Sequence, residues 1–222
     1  MNSVEAVTLD LDGTLCEYRE SSAELLARSF DQLGVEPFFT AEEYRQQLYV
    51  QVITDETKAE RREEAFTTLA ERADRDPKLG RQLATVYASM RDHGDVTPLP
   101  GAVDAVEYLR DRYALGLVTN GGPETQDPKL STLGIADAFD EVVYGGYDTA
   151  PKPEPAPFHE AIRALDARPR RVIHVGNSVE SDVWGADAAG IGAALVSDEN
   201  QHMTAPDYLL GSLGELTPPP WE

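Results

Sequence analysis

Two aspartates stand at the end of a short apolar run, "AVTLDLDGTL", at positions 10 and 12, directly before Gly13 and Thr14. Val4, Val7, Leu9 and Leu11 have the branched and aliphatic character of a strand buried on both faces, where an uncompensated carboxylate costs several kcal/mol. In an extended strand Asp10 and Asp12 lie on one side, with alpha carbons about 6.7 Å apart. Ionised charges about 5 Å apart would repel by about 3.3 kcal/mol at an effective dielectric of about 20, enough to raise one pKa by about 2.4. One acid then serves as nucleophile and the other as proton donor. Splitting a phosphate ester needs that division: one carboxylate attacks, while the other protonates the leaving oxygen and later deprotonates water.

Elements further along must bring partners to this pair. From Val96 onward the sequence alternates, with helix "AVDAVEYLRDR", strand "ALGLVTN", helix "ETQDPKLSTLG", strand "EVVYGG", helix "PAPFHEAIRALDA", strand "RVIHVGN", helix "VESDVWGADAAG" and strand "AALVS". Such alternation predicts right-handed crossovers, a parallel sheet and helices on both faces. The acidic first strand is needed to complete that sheet. Between them, residues from about 21 to 93 carry helical signals, such as "SSAELLARSFDQLG" with its apolar stripe of Leu25, Leu26, Phe30 and Leu33. The fold expected is a doubly wound α/β core of residues 1–15 and 97–222, with an all-helical unit of residues 16–96 inserted after the first strand. "TPPPWE" reads as a terminal tail.

In an open parallel sheet, ligands bind beyond the carboxyl ends of the strands. Those ends carry Asp10 and Asp12, then Thr119 and Asn120, then Lys152, then Asn177, Ser178 and Asp182. Asp10, Asp182 and a phosphate dianion bring four negative charges against the one positive charge of Lys152, so a divalent cation is the natural remedy. Magnesium suits a set of carboxylates, carbonyls, waters and phosphate oxygens. Gly13 lets the backbone leave the strand sharply, so that amides near Leu11 and Asp12 can meet the phosphate.

In this order the segments resemble the four motifs of the haloacid dehalogenase superfamily: "DLDGTL", "VTNG", "KPEPAPF" and "VGNSVESDVWGA". The resemblance implies that Asp10 is phosphorylated and Asp12 is general acid and base. It gives the phosphoryl group to Thr119 and Lys152, with Leu11 and Asn120 beside them. Magnesium falls to Asp10, Asp182 and the carbonyl of Asp12. Many members have an acid where this chain has Asn177, so that residue is expected to act through its amide oxygen or through water. The insertion point resembles the subclass with a helical cap, in which closure excludes water and reads the substrate. The expected partner is a small phosphorylated metabolite; nucleoside monophosphates, sugar phosphates such as acylneuraminate 9-phosphate, and phosphoglycolate are hydrolysed by similar members. A phosphomutase, a 2-haloacid dehalogenase and a noncatalytic relative are the competing readings. Dehalogenases generally lack the second aspartate, because halide leaves without a proton.

Composition narrows the partners. The chain has 222 residues, 40 acidic and 19 basic, and a net charge of -21. A surface so acidic repels nucleic acid and anionic membranes. Only Lys58, Lys78, Lys129 and Lys152 are lysines, and abundant acids with scarce lysine resemble proteins of salt-loving organisms; stability rising with KCl up to molar concentrations is the corresponding expectation. Cys16 is the single cysteine and is expected to be a packed residue, since no disulfide can form within the chain. No leader-like or membrane-spanning pattern is evident, which points to a soluble, cytoplasmic protein. His93, His159, His174 and His202 show no metal-ligand spacing, and His174 is expected in the core. Arg61 and Arg62, with Lys58, are expected on a solvated helix face.

Overall fold

The structure is a computed structural model that describes residues 3–50, 58–197 and 206–222. His202 and the side chain of Lys58 lie outside what is described. The chain divides into two compact units, residues 1–18 with 93–222, and residues 19–92.

The first unit is built on a six-stranded parallel sheet: β1 (Ala6–Leu9), β4 (Ala114–Asn120), β5 (Glu141–Gly145), β6 (Val172–Gly176), β7 (Gly192–Val196) and β8 (Tyr208–Leu210), in the order β5-β4-β1-β6-β7-β8. β1 pairs on one side with β4, Leu9 opposite Leu117, and on the other with β6, Leu9 opposite Val175. The chain runs outward to β5, then returns across β1 to start the other half. The direction of winding therefore reverses beside β1, and a crevice opens at its carboxyl end.

Side chains alternate across β1 as the pleat requires. Val7 and Leu9 join one apolar cluster with Leu109, Leu115, Leu117 and Leu130; Ala6 joins the other with Phe158, Ile162, Val172 and Ala186. Helices α5 (Ala102–Arg110) and α6 (Pro123–Leu133) contribute to the first cluster, and α7 (Ala156–Ala164) and α8 (Trp184–Ala189) to the second. With both faces covered, any charge at the strand ends needs partners within the unit.

Three expectations differ from what is found. Two short strands, β2 (Cys16–Tyr18) and β3 (Val96–Pro98), pair antiparallel and belong to the first unit, so the unit boundaries fall at 18/19 and 92/93 rather than 15/16 and 96/97. The carboxyl-terminal residues do not form a tail: Leu213, Leu216 and Pro219 are buried, and Trp221 packs edge-on against Tyr208 at 5.3 Å. The helix expected from Val179 begins instead as a π-turn, Val179–Val183, closed by Val183 N–H donating to the Ser178 carbonyl at 3.2 Å, before α8.

Among its described residues the second unit holds four helices: α1 (Ser22–Leu33), α2 (Ala41–Val50), α3 (Lys58–Arg72) and α4 (Pro77–Met90). The starts of α1, α2 and α4 each have a chemical cause. Ser21 and Glu24 form a reciprocal capping box, Thr40 and Glu43 repeat it, and Asp76 caps α4, whose first residue is Pro77. The apolar stripes meet in an aromatic core, in which Phe66 lies 5.1 Å from Phe39, 4.6 Å from Tyr44 and 5.5 Å from Tyr87. Arg61 and Arg62 are partly buried, and the Arg62 guanidinium lies over the Tyr87 ring at 5.7 Å; a freely solvated face is therefore not what they form. Among the described residues, no helix is long and apolar enough to cross a membrane.

Candidate active site

β1 ends at Leu9, and the backbone turns immediately afterward. The Leu11 carbonyl accepts from the amides of Leu15 at 2.9 Å and Cys16 at 3.2 Å, while the Leu11 side chain anchors the turn in the core. Gly13 has φ +80, and a Cβ there would lie 2.5 Å from Asn177 Nδ2. Only glycine fits both the conformation and the close approach. The turn leaves Asp10 and Asp12 at a cavity of about 220 Å³, lined also by Thr119, Asn120, Lys152, Asn177, Ser178 and Ser181. Asp182 lies one contact away, behind Lys152.

Lys152 organises the floor. Its Nζ donates to Asp10 Oδ1 at 2.8 Å, to Asp182 Oδ1 at 2.6 Å and to the Val118 carbonyl at 2.8 Å, which uses all three ammonium hydrogens. Burial alone would depress its pKa, but Asp10 and Asp182 outweigh burial and hold it above the ordinary lysine value. Asn120 fixes the lysine's backbone: its Oδ1 accepts from Lys152 N at 2.8 Å and its Nδ2 donates to Lys152 O at 2.9 Å. The side chain expected to touch phosphate thus steers the residue beside it.

Asp182 is held by geometry the π-turn creates. Its Oδ2 accepts from the Ser178 amide at 2.9 Å, and Ser178 Oγ caps the turn by accepting from Ser181 N at 3.1 Å. A Cβ at position 176 would sit 2.3 Å from the Asp182 carboxyl, so the carboxylate packs against the strand only because that residue is Gly176. Burial pushes the Asp182 carboxyl up, yet Lys152 and His174 together hold it below the usual range. His174 lies in the core as expected, edge-on to Phe158, and burial lowers its pKa. As a neutral ring it bridges Asp182 at 3.2 Å through Nε2–H and Thr8 Oγ1 at 2.9 Å through Nδ1.

Asp10 differs from both. Burial raises its carboxyl to about 6, chiefly against the pull of Lys152, with Asp182 adding to the rise. Asp12 is the smallest of these influences, so the expected mutual repulsion of the two acids is not what shifts Asp10. Its second oxygen faces Thr14 Oγ1 at 3.2 Å, whose hydroxyl also lies 3.1 Å from Asn177 Oδ1. Cys16 is fully buried, and burial followed by the charge of Asp12 raises its thiol to about 12. It packs in the core, as expected.

Residues singled out from the sequence thus meet at one end of the sheet, but two neighbours were missed. Lys129 Nζ lies 2.5 Å from Asp12 Oδ1, and Gln126 Nε2 lies 3.0 Å from Asp12 Oδ2 and 2.9 Å from Thr119 Oγ1. Both project from α6, and a signal existed: Gln126, Lys129, Leu130 and Leu133 share the spacing of one helix face, so two polar residues occupy an otherwise apolar stripe.

Among the described residues, no three His, Cys, Asp or Glu side chains are grouped to hold a metal. Magnesium does not require such a group, since it takes one or two carboxylates with carbonyls, waters and phosphate oxygens. Asp10 and Asp182 flank a single ammonium, and burial drives Asp10 toward its protonated form. That hard-oxygen set, one positive charge short, fits the ion.

A model of haloacid dehalogenase-like hydrolases matches residues 4–190, and the chain belongs to that family of hydrolases. A glyceraldehyde 3-phosphate phosphatase of Methanopyrus kandleri is 30% identical over 194 residues, spanning 85% of this chain and 82% of that protein. Among solved structures, a Bacillus subtilis protein described as a HAD hydrolase, bound to magnesium, superimposes with a TM-score of 0.78 at 20% identity over 97% of each chain. A 2-haloacid dehalogenase of Pseudomonas syringae superimposes with a TM-score of 0.64 at 25% identity over 96% of each.

Proposed function

We propose that this hydrolase is a magnesium-dependent phosphomonoesterase of small phosphorylated metabolites, working through a phosphoryl group carried on Asp10. The observation that carries the reading is the unlike setting of two acids in one cavity. The Asp10 side chain is 9% exposed and bound to Lys152 on the floor; the Asp12 side chain is 38% exposed at the rim. A carboxylate at the floor can attack phosphorus from behind while one at the rim reaches the departing oxygen.

Asp10 forms a bond to phosphorus as the bond to the ester oxygen breaks, and Asp12 gives that oxygen a proton. Asp12 then takes a proton from water, whose oxygen displaces Asp10 from phosphorus and returns inorganic phosphate. Lys152, Thr119 and the backbone amides at Leu11 and Asp12 receive the phosphate oxygens, and Asn120 keeps Lys152 in place. Magnesium would be held by Asp10, Asp182, the Asp12 carbonyl and, through its amide or a water, Asn177. When bound it supplies the positive charge that keeps Asp10 ionised and offsets that of the phosphate. The helical unit, expected as residues 16–96, is assigned the choice of substrate.

The relative named for glyceraldehyde 3-phosphate supports small sugar phosphates as the first substrates to try. The test is phosphate release from a panel of sugar phosphates, nucleoside monophosphates, phosphoglycolate and 4-nitrophenyl phosphate, with magnesium and at several salt concentrations. Release by the wild-type chain and its loss, by at least about 10⁴-fold, in Asp10→Asn are expected. A wild-type chain inactive across the panel, yet releasing chloride from 2-chloropropionate, would replace the phosphatase with a dehalogenase.

A further inference from the structure

Lys129 is 1% exposed and Gln126 is fully buried, on a helix whose buried face is otherwise apolar. Burying an ammonium costs several kcal/mol unless an opposite charge meets it. Here that charge is Asp12, at 2.5 Å, with the Tyr18 ring 4.8 Å from the same Nζ. The Gln126 amide nitrogen faces three acceptors, Thr119 Oγ1 at 2.9 Å, Asp12 Oδ2 at 3.0 Å and, more distantly, the Asn120 carbonyl at 3.5 Å, while its own Oε1 is buried without a hydrogen-bond partner. Turned the other way, the amide would set its oxygen against the Asp12 carboxylate. Each oxygen of Asp12 is therefore met by a different residue of α6, three positions apart on one face.

We propose that Lys129 and Gln126 are positioning residues that clamp the Asp12 carboxyl, so that α6 sets the direction in which protons pass to the leaving group and from water. The inference rests on the phosphomonoesterase reading. It adds what that reading lacks, a reason why a partly exposed aspartate side chain keeps one orientation. It also links two roles, because Gln126 ties the proton-transferring residue to Thr119, one of the groups assigned to phosphate. Lys129 takes no part in the transfer itself: the proton given to the leaving oxygen comes from Asp12 and is replaced from the attacking water. A misplacement of about 1 Å in such a group costs about 100-fold.

A merely structural lysine would affect all substrates alike, whereas a clamp on the proton donor would not. The experiment measures kcat and KM of wild type, Lys129→Met, Gln126→Met and Asp12→Asn on phosphate esters whose leaving groups run from 4-nitrophenol to simple alcohols. The expected result for Lys129→Met is a fall in kcat/KM, which reports the step that loads Asp10 and not the hydrolysis common to all substrates, of about 100-fold on alkyl phosphates and less than about tenfold on 4-nitrophenyl phosphate, whose phenolate departs without a proton. Gln126→Met shows the same pattern with a smaller fall, and adding Lys129→Met to Asp12→Asn steepens the leaving-group dependence no further.

Equal losses of kcat/KM across the series, or none, would overturn the clamp. If Lys129→Met does not fold, as judged by circular dichroism, Gln126→Met decides by the same criterion. A wild-type chain that releases no phosphate sinks the phosphomonoesterase itself; an active wild type with unchanged leaving-group dependence in the clamp variants sinks only the clamp.

Discussion

The floor of the cavity in the sheet unit and the centre of the helical unit bury opposite kinds of side chain. Beneath the cavity of the sheet unit lie Asp10, Lys152, Asp182 and His174, none more than 7% exposed. At the centre of the helical unit lie Phe30, Phe39, Phe66 and Leu83. Buried rings and aliphatic chains stabilise the fold that encloses them; buried ions are held at a cost, repaid only by mutual pairing. The proposed chemistry and the aromatic core thus lie in different units, and substitutions at the cavity floor and in that core ought to move different observables most.

The largest contrast comes from Asp12. Asp12→Asn is expected to cut turnover of alkyl phosphates by about 10²- to 10⁴-fold while the chain stays folded, with some loss of melting temperature because the buried Lys129 ammonium loses its opposite charge; steady-state kinetics and calorimetry on one preparation will show both. Phe66→Ala is the counterpart: removing the ring that touches Phe39, Tyr44 and Tyr87 is expected to destabilise the protein by about 3–5 kcal/mol in denaturant titration. A Phe66 variant as stable as wild type would erase the contrast.

A third test asks whether the floor is held at a cost. Burial raises Asp10 to about 6 from an ordinary value of 3.8. Between about pH 4 and 6 the folded chain therefore keeps a proton that the unfolded chain has released. Its contribution to stability is complete below about pH 4 and gone above about pH 6. In EDTA at about pH 7.5, Asp10→Asn should melt above wild type, by no more than about 3 kcal/mol, and the gap should close toward pH 4. A variant less stable than wild type at the higher pH would show that the pairing with Lys152 outweighs burial.

The smallest effect concerns Asn177. Asn177→Asp adds a carboxylate beside Thr14 and Gly13 and is expected to tighten magnesium binding a few-fold, measured by calorimetric titration. Weaker binding would place Asn177 outside the metal's reach.

How much of this could be read from the sequence follows from what each residue must do locally. The alternation of apolar runs with helical spacing specified the parallel sheet, and acids against an apolar strand had no bland explanation. Lys152 and Asp182 were readable because strand ends are where such a sheet binds ligands. The helical unit was readable as helices, from its caps and stripes, but not as a site, because its polar residues carry no spacing that demands chemistry. Lys129 and Gln126 escaped although they share a face with Leu130 and Leu133, because polar residues on a helix read as solvated until that face is known to be buried. The cause of the Asp10 shift escaped for a related reason: strand geometry gives the distance between two acids, but burial depends on everything packed around them. The strand at Tyr208 and the docking of Trp221 depend on contacts far along the chain, which local pattern does not encode.

The central claim is that Asp10 carries the phosphoryl group, and trapping that group tests it most directly. Wild-type protein turning over a good substrate with magnesium is quenched in acid and reduced with borohydride, which converts an aspartyl phosphate to homoserine, and the modified position is read by peptide mass spectrometry. Homoserine at position 10, absent without substrate, is the expected result. Phosphate released in full with the modification at another residue, or with none at all under conditions that trap a control aspartyl phosphate, would contradict it.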